Sequence, residues 1–147
     1  GLKSLIGTLP IVLGDPRKLP KEKRTNIKEW SDWMQEMQQK YDYMSFRKDL
    51  SGFGEPQEGS WDGWQRINFR DNTGGIFGIF RHGAKETQRT VFLKNLIVDT
   101  NYQIRLAPSG KIIHTSTGNE LMYEGLKVKI QNTYDGKIFE VRPVDDL

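Results

Sequence analysis

This 147-residue sequence predicts a mainly β protein: an antiparallel, jelly-roll-like β-sandwich of about eight strands, preceded by one long amphipathic α-helix. Three observations predict it. Apolar side chains recur three and four apart up to about residue 46, the period of a helix. Beyond residue 60 they come in short runs, Ile76, Phe77, Ile79, Phe80 and then Val91, Leu93, which read as strands of period two. Clusters of Asn, Asp, Pro and Gly separate those runs at the spacing of turns.

Composition bounds the answer. Apolar residues make up 35% of the chain and mean hydropathy is −0.67, so the core is modest. Aromatics reach 11%, so large rings must supply much of the burial. The net charge of +3 comes from 22 Lys plus Arg against 19 Asp plus Glu. The densest basic run, Arg17 to Arg24, is broken by Leu19, Pro20 and Glu22. That suits a solvated helical turn better than a phosphate track, so no nucleic-acid partner is expected. Without Cys there are no disulfides and no thiolate metal sites. His82 and His114 are the only histidines and lie far apart, and no Asp-x-Asp-x-Asp loop occurs; neither a metal nor another cofactor is expected. No apolar run approaches the roughly 20 residues that cross a bilayer, so no membrane partner is expected.

The elements follow in order. Leu9 to Leu13 form a short continuous apolar run, the mark of a strand buried on both faces. Gly14-Asp15-Pro16 ends it as a turn, and Pro20 suits the first turn of a helix, where its missing N–H costs nothing. The helix is expected from about Pro20 to about Phe46, with Ile27, Trp30, Met34, Met37, Tyr41 and Met44 on one stripe and Trp33 widening it. Residues 1–50 therefore read as the last strand–helix unit of a larger barrel, or as a helical N-terminal extension. The stripe is expected to be covered by protein beyond this chain, or by a second copy docking on an exposed helix face. Residues 51–60 form a linker rich in Gly, Pro and Ser, and 61–147 the sandwich. Strands are expected near 63–70, 75–82, 88–94, 101–107, 111–115, 119–123, 125–131 and 137–143. Asn72-Thr73-Gly74-Gly75, Pro108-Ser109-Gly110 and Tyr134-Asp135-Gly136 are the expected hairpin turns.

Two stretches carry a resemblance. Leu13-Gly14-Asp15-Pro16-Arg17-Lys18-Leu19-Pro20 with the following helix resembles the end of the catalytic barrel in melibiase-type α-galactosidases, a glycoside hydrolase family. Trp61-Asp62-Gly63-Trp64-Gln65-Arg66, Gly78-Ile79-Phe80-Arg81, and the pattern Gly-x-Glu-Leu-Met-x-x-Gly-Leu over Gly118 to Leu126 are similar to motifs of that family's C-terminal β-sandwich. The resemblance implies a C-terminal accessory domain that stabilises a catalytic barrel, its partner. No catalytic role is carried over, because the barrel strands that hold the family's two aspartates are not in this sequence and retaining hydrolysis needs a carboxylate pair.

Carbohydrate contact is the sharpest chemistry on offer. Trp61, Asp62 and Trp64 combine rings with a carboxylate, and Asp15 stands where the resemblance puts the end of a barrel strand. Against this, residues three apart on a strand point to opposite faces, so the two indoles are expected to anchor the core rather than form one platform. An autonomous carbohydrate-binding module built on Trp61 and Trp64 is the rival reading. Arg66, Arg70, Arg81, Arg89 and Arg105, with Glu86, Asp99 and Glu140, are expected on solvated strand faces. Asp145-Asp146 reads as a solvated acidic pair, and no nucleophile elbow or phosphate-binding loop occurs.

Overall fold

The computed structural model describes residues 27–50 and 60–144. The expected strand at 9–13, the Gly14-Asp15-Pro16 turn with Asp15, the helix start at Pro20 and most of the 51–60 linker lie outside the described residues.

The described chain runs α1 (Ile27–Tyr41), a 3₁₀ turn (Tyr43–Ser45), β1 (Arg47–Asp49), β2 (Trp61–Asn68), β3 (Gly74–Arg81), β4 (Gln88–Val91), β5 (Asn101–Leu106), β6 (Lys111–Thr117), a π-helical turn (Glu120–Glu124), β7 (Leu126–Lys129) and β8 (Asp135–Val144). Six strands form one antiparallel sheet in the order β1-β2-β3-β8-β5-β6, and β4 pairs with β7 in a second, two-stranded sheet. The mainly β, sandwich-like class with one helix is therefore observed, although the two sheets are very unequal.

The central strands of the large sheet are buried on both faces, whereas edge strand β6 is exposed from Lys111 to Thr115. One face packs under the β4–β7 sheet and its loops, with Trp61, Ile67, Phe77, Ile79, Tyr102, Ile104, Phe139 and Val141 meeting Val91, Leu121 and Val128. The other packs against α1: Trp30, Trp33, Met34, Met37 and Tyr41 rest on Trp64, Ile76, Phe80 and Ile138. This explains β3, whose eight residues are all buried. Ile76 and Phe80 face the helix while Phe77 and Ile79 face the second sheet, so the run is continuous rather than of period two. Gly78 is needed on the helix side. It pairs with Trp64 across the ladder, and a Cβ there would lie 2.7 Å from the Trp64 ring.

Packing of α1 corrects one expectation. Met37 is 0% exposed and Met34 is 6% exposed against this chain's own sheet, with Ile27 half-buried at the margin. Among the described residues the stripe from Ile27 to Tyr41 is covered by this chain's own sheet, not by protein beyond it. The helix also stops at Tyr41, short of the expected Phe46, because Asp42 adopts the left-handed conformation (φ 49°) that short polar side chains tolerate. Gln38 Nε2 donates to the Asp42 carboxylate, and Asn68 Nδ2 donates to the Tyr41 carbonyl. Met44, beyond that stop, is 60% exposed.

Three strand expectations shift. Residues 47–49, which lie between the expected helix end at Phe46 and the expected linker at 51–60, form edge strand β1 on β2. Residues 119–123 are not a strand but lie in the π-helical turn and the residue before it. Tyr134-Asp135-Gly136 is no hairpin: β7 pairs with β4, while β8 pairs with β3 and β5. The hairpins at Asn72-Thr73-Gly74-Gly75 and Pro108-Ser109-Gly110 join β2 to β3 and β5 to β6 as expected. Asn72 (φ 56°) and Gly74 (φ 99°) supply the positive torsions of the first.

Candidate functional site

Strand β8 runs down the middle of the large sheet, and its even-numbered residues face α1. Ile138 is apolar there, but the next two such positions are Glu140 and Arg142. Burial of the Glu140 carboxylate, only 2% exposed, demands partners. Arg142 supplies Nε and Nη2, each 3.0 Å from a different Glu140 oxygen, in a bidentate pair. Tyr41, on the last turn of α1, donates its hydroxyl to the same carboxylate. Lys40 Nζ stands 3.7 Å from Glu140 and 3.0 Å from Glu36, and Arg142 Nη2 stands 3.9 Å from Glu36. The cluster ties the helix's last turns to the sheet by charge where the apolar contact ends.

Electrostatics follow from this geometry. Burial first, then the hydrogen bond and negative charge of Glu140, push the Tyr41 hydroxyl far above its ordinary value of 10. For Arg142, burial pulls the guanidinium down, but its hydrogen bonds to Glu140 and that group's charge outweigh it and hold the pKa above the ordinary range. Beside the cluster lies an open depression of about 400 Å³, lined by Lys40, Tyr41, Thr73, Arg142 and Pro143. The Thr73 hydroxyl itself is shut off from solvent and has no hydrogen-bond partner among the described residues.

The Gly118 to Leu126 motif proves architectural. Thr117 Oγ1 accepts from the Glu120 N–H, and Glu120 Oε1 accepts from the Thr117 N–H and hydroxyl: a capping box that opens the π-helical turn. The Thr117 backbone N–H and then its hydroxyl hold the Glu120 carboxyl below its usual range. Leu121 is fully buried in the core, and Gly125 ends the turn at φ 86°, where a Cβ would lie 2.5 Å from Thr90.

The sequence-predicted sugar residues are not brought together. Trp61 is 1% exposed in the core under the small sheet, and Trp64 is 5% exposed on the opposite face beneath α1. Each indole is an anchor, and the two share no surface. Asp62 is half-buried opposite Phe80 in the ladder. Arg81 and Glu140, expected on solvated faces, are buried instead. Arg81 donates to the carbonyls of Ala84, Lys85, Ile130 and Gln131, tying two loops together. Sequence reading missed the Tyr41–Glu140–Arg142 cluster. Its signal was a carboxylate between the apolar Phe139 and Val141 with a guanidinium two residues further on, both on the face that α1 covers. Among the described residues no group of His, Asp and Glu is placed to hold a metal ion, and no helix is long and apolar enough to cross a membrane.

No protein-family model matches the sequence, and no curated protein matches it. Solved structures do. The GH36 alpha-galactosidase AgaB from Geobacillus stearothermophilus superimposes with a TM-score of 0.66 at 20% identity, over 87% of this chain and 17% of that one. AgaA from the same organism gives 0.65 at 19% identity, over 87% and 17%. The alpha-galactosidase from Lactobacillus brevis gives 0.65 at 19% identity, over 90% and 18%. This chain has the fold of a part of the GH36 alpha-galactosidases. It spans about a sixth of their length (17%), and at these identities the likeness concerns the fold alone.

Proposed function

We infer that the chain is the C-terminal accessory β-sandwich of an α-galactosidase-like glycoside hydrolase, which stabilises a catalytic barrel and does not hydrolyse glycosides by itself. One observation carries this reading: nearly the whole chain, 88%, matches a unit that makes up only 17% of a GH36 alpha-galactosidase. The buried helix stripe, once the argument for a missing partner, no longer contributes, so the reading rests on that match and on the motifs at Leu13 to Pro20 and Gly118 to Leu126. Stabilisation is a role suited to this architecture. A helix locked to a sheet by a full apolar face and by the Glu140 cluster is stiff enough to brace whatever is joined to it. The rival module on Trp61 and Trp64 finds no support, since both rings are buried.

The test is direct. The genomic reading frame around this chain should encode a preceding barrel with two aspartates, and the purified 147-residue chain should leave nitrophenyl α-galactoside intact. Joined to that barrel, it should raise the barrel's melting temperature. Turnover by the isolated chain, or a frame with no barrel ahead of it, overturns the reading.

A further inference from the structure

We propose that the outer edge of β6 is a self-association surface, on which a second copy of this chain pairs its own β6 antiparallel about a two-fold axis. The two edges of the large sheet differ. β1 is three residues long, Arg47–Asp49, and all three are of charged type, a usual way of discouraging a further strand. β6 is seven residues long, and five in a row, Lys111 to Thr115, are exposed. Two of those are Ile112 (47% exposed) and Ile113 (43% exposed), β-branched apolar side chains that favour a strand. Among the described residues no strand pairs with the outer side of β6, so its outward N–H and C=O groups form a ladder ready for another chain.

Register and charge select a second copy as the partner. Ile113 has no opposite number on β5: Arg105 pairs with Ile112 and Ile104 with His114, so a bulge sits at that point. The bulge breaks the straight edge and confines pairing to the stretch from Ile113 to Thr117. Antiparallel pairing about Thr115 sets that residue against its own counterpart, a favourable cross-strand pair, with Ile113 against Thr117 and His114 against Ser116. The ends of this edge carry opposite charges. Lys111 is exposed at one end. At the other, the exposed Glu120 carboxylate is anchored beside Thr117 by that residue's N–H and hydroxyl. Antiparallel pairing therefore carries the Lys111 of each copy toward the Glu120 of the other, twice per dimer. Because β1 is a poor edge, assembly closes at two copies.

The experiment is sedimentation equilibrium of the full chain, with amide hydrogen exchange followed at low and high concentration. An edge this short buries less than the roughly 1,200 Å² of a standard interface, so a reversible dimer with Kd between about 1 µM and 1 mM is expected. Exchange should slow with concentration at amides between Ile113 and Thr117 and nowhere on β1. Ile113→Lys puts a charge at a position with no β5 partner, so the melting temperature should hold while the dimer weakens at least about tenfold. Lys111→Glu, on the exposed end, sets like charges together twice and should weaken it about fivefold, a difference that about 0.5 M salt removes. A chain still monomeric at about 1 mM overturns the proposal. So do a dimer indifferent to both variants, oligomers that grow beyond two copies, and protection of every amide from Ile113 to Thr117 that is independent of concentration.

Discussion

On one face of the large sheet, Phe77 stacks on Phe139 with ring centroids 4.8 Å apart, inside a core of aliphatic side chains. On the other, Trp30 meets Trp33 edge-on at 5.9 Å, methionines fill the gaps, and the contact finishes in a buried carboxylate with its own guanidinium. Over the central strands both faces are covered, but they are joined differently. The small sheet is woven into the large one through four connecting loops and a shared core, whereas α1 is a single element laid on from one side. Loss of packing should therefore spread through the first face and stay local on the second.

Substitutions can break or sharpen that contrast. The largest effects come from the rings. Phe77→Ala and Trp30→Ala should each cost about 3–5 kcal/mol by chemical denaturation, the usual range for emptying an aromatic core position. They should differ in hydrogen exchange: Phe77→Ala should raise exchange in β4 and β7 as well as β3, Trp30→Ala mainly in α1. Equal, molecule-wide loss of protection in both variants would erase the distinction between the faces.

Glu140→Gln comes next, at about 1–3 kcal/mol, because a charged acceptor is removed from a buried donor set. It should also lower the ionisation of Tyr41 toward its ordinary 10, read by ultraviolet titration of the phenol. In the parent chain the raised Tyr41 value has a defined sign. The unfolded tyrosine loses its proton near pH 10 while the folded one keeps it, so this stabilisation is complete below pH 10 and falls as the pH rises beyond it. Urea midpoints measured between pH 9 and about 11.5 should decline more steeply for the parent than for Tyr41→Phe. Smallest is Thr117→Ala, about 1 kcal/mol, for loss of one side of the capping box, with melting of the π-helical turn and little change elsewhere.

The class of fold could be read from the residues because helix period and turn chemistry are local. Met34 and Met37 on the stripe, Asn72 and Gly74 in the hairpin, all act within a few residues of themselves. What covers the stripe is not local. Nothing in Ile27 to Tyr41 says whether the facing surface is Trp64, Ile76 and Ile138 of the same chain or another protein, and the sequence reading chose wrongly. Residues 119–123 misled for a related reason: Leu121 is buried as a strand's would be, but the capping box at Thr117 and Glu120 curls the backbone first. The polar cluster depends on an approach across 99 residues, Tyr41 to Glu140, which no spacing rule reports.

The placement of β8 has a consequence for biosynthesis. This strand sits between β3 and β5, so the sheet is two unconnected halves until residues 135–144 have left the ribosome. During translation β2–β3 and β5–β6 can close as hairpins, each with a raw edge waiting for the same late strand. A nascent chain stalled before Asp135 would thus display two sticky edges at once, and it should be a strong client for holding chaperones.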